Sequence, residues 1–179
     1  MTLRRLSLLL IAALPLCAQD ASIGLKVHGL VPMSDLRDLT NGQLGVGVYG
    51  FVEIPVGDGG AFVFRPTVGA EQIPKGNTLG LAGTQTSVTS VDFMLDALWF
   101  PGEDSKHGPY LVGSLGGQQW RVSATGTSPS TLSTTRLGVA GGIGYQVSPR
   151  IGIEAKGFWS PIAQNLTATG LTLGATWRF

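Results

Sequence analysis

The sequence predicts an all-β fold, an eight-stranded antiparallel up-and-down transmembrane β-barrel, and three observations carry that prediction. Apolar residues recur at every second position through eight segments, the signature of strands with one greasy face. The Lys, Arg, Asp and Glu residues of those segments collect on the opposite face. Charged residues are only 13% of the chain and mean hydropathy is positive, yet beyond residue 16 no apolar run is long enough for a spanning helix. Soluble domains carry about 25% charged residues. An exported, greasy chain without a spanning helix fits a barrel whose apolar side faces hydrocarbon.

The chain opens on a secretory signal. Arg4 and Arg5 precede the apolar run from Leu6 to Leu16, and Ala18 supplies a small residue for cleavage. Residues 1–18 are therefore expected to be a signal peptide and residues 19–179 the barrel. Cys17 leaves with the signal, so the mature chain has no thiol, disulfide or thiolate metal ligand. Leu16 is too bulky to make Cys17 a good lipidation site. The mature charge is −1, from 10 Lys plus Arg against 11 Asp plus Glu. With no basic run or patch, nucleic acid is not an expected partner.

The strands follow in order. Residues 23–33 place Ile23, Leu25, Val27, Val31 and Met33 on one face. Residues 43–56 place Leu44, Val46, Val48, Val52, Ile54 and Val56 there. Residues 61–73 contribute Phe62, Phe64, Val68 and Ala70, and residues 88–100 contribute Val91, Phe93, Leu95, Ala97 and Trp99. In residues 110–122 both faces carry apolar side chains. Tyr110, Val112, Trp120 and Val122 are read as outward because that turns Arg121 inward, at the cost of placing Leu111 and Leu115 inside. Residues 136–147 show Leu137, Val139, Ile143, Tyr145 and Val147, and residues 151–159 show Ile151, Ile153, Ala155 and Trp159. Residues 171–179 end the pattern with Leu171, Leu173, Ala175, Trp177 and Phe179. Each segment meets the 9–11 residues or so that a tilted membrane strand needs.

The opposite faces carry Lys26, Glu53, Arg65, Glu71, Asp92, Asp96, Arg121, Arg136, Glu154, Lys156 and Arg178, with His28 beside Lys26. A cation facing lipid near the midplane costs about 2–4 kcal/mol, so a one-residue slip in register is heavily penalised. A soluble barrel would bury its greasy face and could not line its interior with these charges. The charged face is also rich in glycine (Gly24, Gly45, Gly47, Gly69, Gly138, Gly142, Gly144), which leaves room for long side chains in a narrow lumen. Six inward cations face five anions, so an internal salt-bridge network closing the lumen is expected, with Asp92 and Asp96 neutralising Lys26, Arg65 or Lys156.

Short turns are expected at residues 57–60, 101–109 and 148–150, and longer polar loops at 34–42, 74–87 and 123–135, with 160–166 between. Short turns belong to the periplasmic side of such barrels, which places both termini in the periplasm. Phe62, Phe64, Trp99, Tyr110, Tyr145, Trp177 and Phe179 then form one interfacial girdle, and Trp120 and Trp159 the other.

By length, strand count, signal and the Trp177-Arg178-Phe179 ending, the chain resembles the small eight-stranded outer-membrane proteins, the group of the OmpA transmembrane domain, OmpX and OmpW. The resemblance implies residence in the outer membrane of a Gram-negative-type bacterium, contact with its lipid, and a monomer. It also implies that Trp177 and Phe179 act as the assembly signal read by the barrel-assembly machinery. The expected loops are shorter than in OmpA-type barrels and form no protruding sheet.

Few motifs suggest chemistry. Gly45-x-Gly47-x-x-Gly50 matches a dinucleotide fingerprint by letter but lies inside a strand with no helix after it. His107 falls in a turn. His28 faces the lumen, and no adjacent His-Ser pair of the kind used by outer-membrane lipid deacylases occurs. The expectation is a barrel that is not an enzyme and has no cofactor, with a polar, plugged lumen and a structural or surface-recognition role through its outer loops. The alternative is a small gated pore lined by the same charges, and more remotely a lipid-modifying enzyme.

Overall fold

The computed structural model describes residues 21–57, 60–126 and 129–179, so the expected signal segment lies outside the described residues. Eight antiparallel strands close in sequence order: β1 (Ser22–Met33), β2 (Gly45–Val56), β3 (Phe62–Asn77), β4 (Gln85–Trp99), β5 (Gly108–Thr125), β6 (Ser130–Gln146), β7 (Ile151–Ala163) and β8 (Leu166–Arg178). β8 pairs with β1 to complete the ring, and Phe179 adds a backbone bond to the Ile23 carbonyl at 2.9 Å. Closure leaves no free edge along the spanning part of the wall.

Burial alternates along nearly every strand. The outer surface is a belt of exposed apolar side chains running from Trp99, Trp177 and Phe179, at the end where β1 starts and β8 finishes, to Met33, Leu44, Val91, Leu137 and Trp159 nearer the other. An apolar surface of this extent is stable only against hydrocarbon or a covering partner.

The fifth strand corrects the sequence reading. Leu111 and Leu115 point outward, Leu115 with 57% of its surface exposed, while Tyr110, Val112, Trp120 and Val122 are buried inside. Arg121 accordingly faces out, contrary to expectation. The reason is packing: the interior needs apolar side chains at both ends, and β5 supplies them. Tyr110 and Trp120 therefore leave the two interfacial girdles to which they were assigned. Arg136 shares the inward parity of Gly138, but it sits beyond the last β6–β7 pair, Val139↔Trp159, where the two strands part, and its side chain is exposed.

The strands also run further than expected. β1, β2, β7 and β8 hold 12 or 13 residues, whereas β3 to β6 hold 15 to 18. Half of the expected loop at 74–87 and most of that at 123–135 is strand, and a four-stranded sheet rises beyond the rest of the wall. Its runs of Thr, Ser and Gln alternate too weakly in hydropathy to betray a strand, yet cross-strand pairing continues to Asn77↔Gln85 and Ala124↔Ser130. Pairing of β6 with β7 begins only at Val139, and residues 130–136 form an exposed edge.

The expected loop at 34–42 contains a helix, α1 (Ser34–Thr40), which ends at Asn41 in the left-handed conformation (φ 51). It lies over the barrel mouth. Leu36 and Thr40 have no exposed surface, and the Asp35 carboxylate accepts from Thr167 N and Oγ1 of β8 at 2.9 and 3.0 Å. On the other side, Leu79 N donates to the Asp38 carbonyl at 2.9 Å. A Cβ at Gly76 would collide with the Thr40 carbonyl, so the glycine lets β3 pass beneath the helix.

Candidate functional site

The interior has three layers. At the end where β1 starts and β8 finishes, Val63, Leu98, Phe100, Tyr110 and Val112 form an apolar cluster. At the loop end, Leu36 of α1 closes over Leu30, Ile73, Val88, Trp120, Val122, Ile162 and Ala168. Trp120, 1% exposed, satisfies its indole N–H on Ser160 Oγ at 3.1 Å, and that hydroxyl donates to the Leu137 carbonyl. These two apolar layers were missed from sequence because they occupy the face otherwise defined by charge.

Nine of the eleven residues assigned to the lumen are buried: Lys26, Glu53, Arg65, Glu71, Asp92, Asp96, Glu154 and Lys156 in the interior, and Arg178 at the rim, where Nη1 donates to the Ser105 carbonyl of a turn at 2.8 Å. Arg65 is the hub, with 1% of its surface exposed. Its Nε and Nη2 donate to Asp96 Oδ2 at 3.0 and 2.7 Å, Nη2 also reaches Glu154, and Nη1 lies 3.7 Å from Glu53. Lys26 donates to Glu154 at 3.1 Å. Lys156 contacts Asp96 at 3.3 Å, Glu154 at 3.4 Å and Ser114 Oγ at 3.1 Å. Tyr110 donates to Glu154 at 3.2 Å, and Arg178 Nε lies 2.6 Å from Glu53. Arg65, Glu154, Asp96 and Lys156 each have several partners, and Lys26 adds to Glu154 the face of the Tyr49 ring, as burial demands.

A second group sits apart. His28 Nε2 is 2.9 Å from Glu71, and the Tyr49 hydroxyl contacts both Glu71, at 2.9 Å, and Asp92. Ser90 donates to Asp92 at 3.1 Å. Asp92 therefore departs from expectation: Asp96 pairs with Arg65 and Lys156, whereas Asp92 takes hydroxyl donors. The Tyr49 hydroxyl has one proton for two carboxyl neighbours.

Glycine makes the crowding possible. A methyl group at Gly47 would strike the His28 ring, one at Gly69 the Tyr49 ring, and one at Gly144 the Tyr110 ring. The cavity among Lys26, His28, Tyr49, Glu71, Gln118 and Lys156 measures about 40 Å³, room for only a few water molecules. Chemically the arrangement ties walls together; His28 lines the interior, away from the lipid-facing surface. Trp177 and Phe179 are exposed on the outer face, 52% and 72% respectively.

Comparison with known structures places the fold. The attachment invasion locus protein Ail of Yersinia pestis superposes with a TM-score of 0.60 at 13% identity, over 89% of this chain and 97% of Ail. Neisserial surface protein A gives 0.55 at 17% identity, over 89% and 97%. The N-terminal β-barrel domain of Pseudomonas aeruginosa OprF gives 0.58 at 12%, over 88% and 97%. No protein-family model matches the chain, and no curated protein sequence does. The architecture is that of the small eight-stranded outer-membrane β-barrels, and at these identities the likeness speaks for the fold alone.

Proposed function

We propose that the chain is an integral outer-membrane barrel with a closed lumen, without enzymatic turnover, which presents its β3–β6 extension at the cell surface for recognition. The termini lie in the periplasm, Trp177 and Phe179 serve the assembly machinery, and the barrel is monomeric in its lipid. One observation carries the closed lumen: the Arg65 network spans the barrel between two apolar layers, one of them capped by α1. An ion would have to break buried ion pairs and push through packed side chains, and the near balance of charge selects for neither sign. The free edge of β6 at residues 130–136 supports recognition, because unpaired backbone groups accept an added strand. The name of Ail, attachment and invasion, fits a barrel of this shape that displays a raised sheet.

The test is conductance in planar bilayers, using protein shown to be folded by heat-modifiable gel migration. Silence is expected. Stable, reproducible steps would replace this reading by the gated pore.

A further inference from the structure

Arg121 is the one ionic residue in the regular pairing of the described strands that points out of the wall. On β4 the belt ends at Val91 and continues as Thr89, Ser87 and Gln85. On β5 it gives way to Gln119, Arg121 and Ser123, and on β6 Leu137 is followed by Thr135, Ser133 and Thr131. Arg121 pairs with Thr89 and Ser133, one step beyond Val91, or about 7 Å along the strand. It lies beside a groove of about 420 Å³ lined by Thr89, Val91, Gln119, Thr131 and Ser133.

A second cation stands near it. Lys75 is exposed on the β-bulge between Ile73 and Gly76, beside Ser87, roughly 12 Å from Arg121 by strand spacing. Among the described residues no carboxylate lies on this outward strip, and Arg121 has no acidic partner. Two unpaired cations with hydroxyl and amide neighbours, at the border where hydrocarbon gives way to headgroups, suit an anion held at that height. The guanidinium fork matches phosphate in particular.

We propose that Arg121 and Lys75, with Thr89, Gln119 and Ser133 between and beside them, form a binding site for the phosphate groups of an anionic glycolipid in the surrounding leaflet. The acyl chains would lie along the belt directly below, at Val91, Phe93 and Leu137. This rests on the membrane placement proposed above. It also gives the outward turn of Arg121 a use, since a lipid-facing cation costs little near the interface and a phosphate contact offsets that cost.

The experiment uses protein in phosphatidylcholine nanodiscs doped with diphosphoryl lipid A or with the same lipid dephosphorylated, and reads bound lipid by native mass spectrometry. Wild type is expected to retain the phosphorylated form preferentially. Arg121→Gln with Lys75→Gln should reduce that retention roughly tenfold, as for loss of a charge-assisted pair, and Arg121→Lys should reduce it less. Equal retention of the two lipids by wild type, or undiminished preference in the folded double variant, overturns the site. So does binding of inorganic phosphate by detergent-solubilised protein without any lipid preference. If the double variant fails to fold, the single variants and the wild-type preference decide. Failure of wild type to insert would instead sink the membrane placement.

Discussion

Arg65 of β3 and Glu154 of β7 stand on opposite walls, and their side chains bond across the axis of the barrel. The same guanidinium holds Asp96 of the neighbouring strand at 2.7 Å, so one side chain ties three strands together. Removing it strands Asp96, Glu154 and Glu53 with less counter-charge in a dry interior. Arg65→Ala should lower stability by about 3–5 kcal/mol, the usual penalty for breaking a buried pair from one side. Denaturant unfolding of the lipid-inserted protein measures this; a loss under about 1 kcal/mol would mean the network is ornamental to stability.

The facing of β5 can be tested directly. Leu115→Arg puts a cation in the belt and should cost about 2–4 kcal/mol of membrane stability, whereas Gln119→Arg, beside the polar strip, should be tolerated. The reverse ranking would restore the opposite face of the strand.

The chain has four tryptophans, and their environments differ. Trp99, Trp159 and Trp177 are exposed on the outer face, while Trp120 is sealed inside. In single-tryptophan variants, brominated lipid should quench the first three and leave Trp120 bright. Strong quenching of Trp120 would show that the loop-end apolar layer does not form.

Two glycines should respond oppositely to the same change. A Cβ at Gly113 meets open space, so Gly113→Ala should gain up to about 0.5–1 kcal/mol from reduced chain entropy. At Gly47 the added methyl meets the His28 ring, and overpacking there should cost about 1–3 kcal/mol. Equal effects would show that the lumen has slack.

Seven of the eight strands show their facing in the sequence, because hydrocarbon on one side admits no polar side chain and alternation is therefore strict. β5 does not, since Leu111 and Leu115 serve the outer belt while Tyr110 and Trp120 serve the interior, and alternation cannot rank two apolar faces. Arg121 does not mark the inner face, because it lies above the zone where charge is costly. The burial of Arg65 and Glu154 is legible; their meeting is not. It depends on how far each strand is staggered around the ring. The helix at 34–40 also escapes notice, for seven residues present only two turns of periodicity, and Leu36 and Thr40 gain their meaning from the mouth they close. The raised sheet is hidden by its own polarity, since strands that leave the belt no longer need alternate.

The pairing of β1 with β8 has a consequence in time. The first strand and the last are neighbours, with Leu25 beside Trp177 and Val31 beside Leu171. A nascent chain that lacks β8 is an open ribbon with two unpaired borders and a greasy flank, and it has no ring into which Arg65 and Glu154 can lock. Folding as the chain is synthesised would produce a sticky fragment, so the polypeptide must be kept extended until its final segment exists. Closure is then a single late event, and its slow step is the meeting of residues that lie about 150 positions apart in sequence.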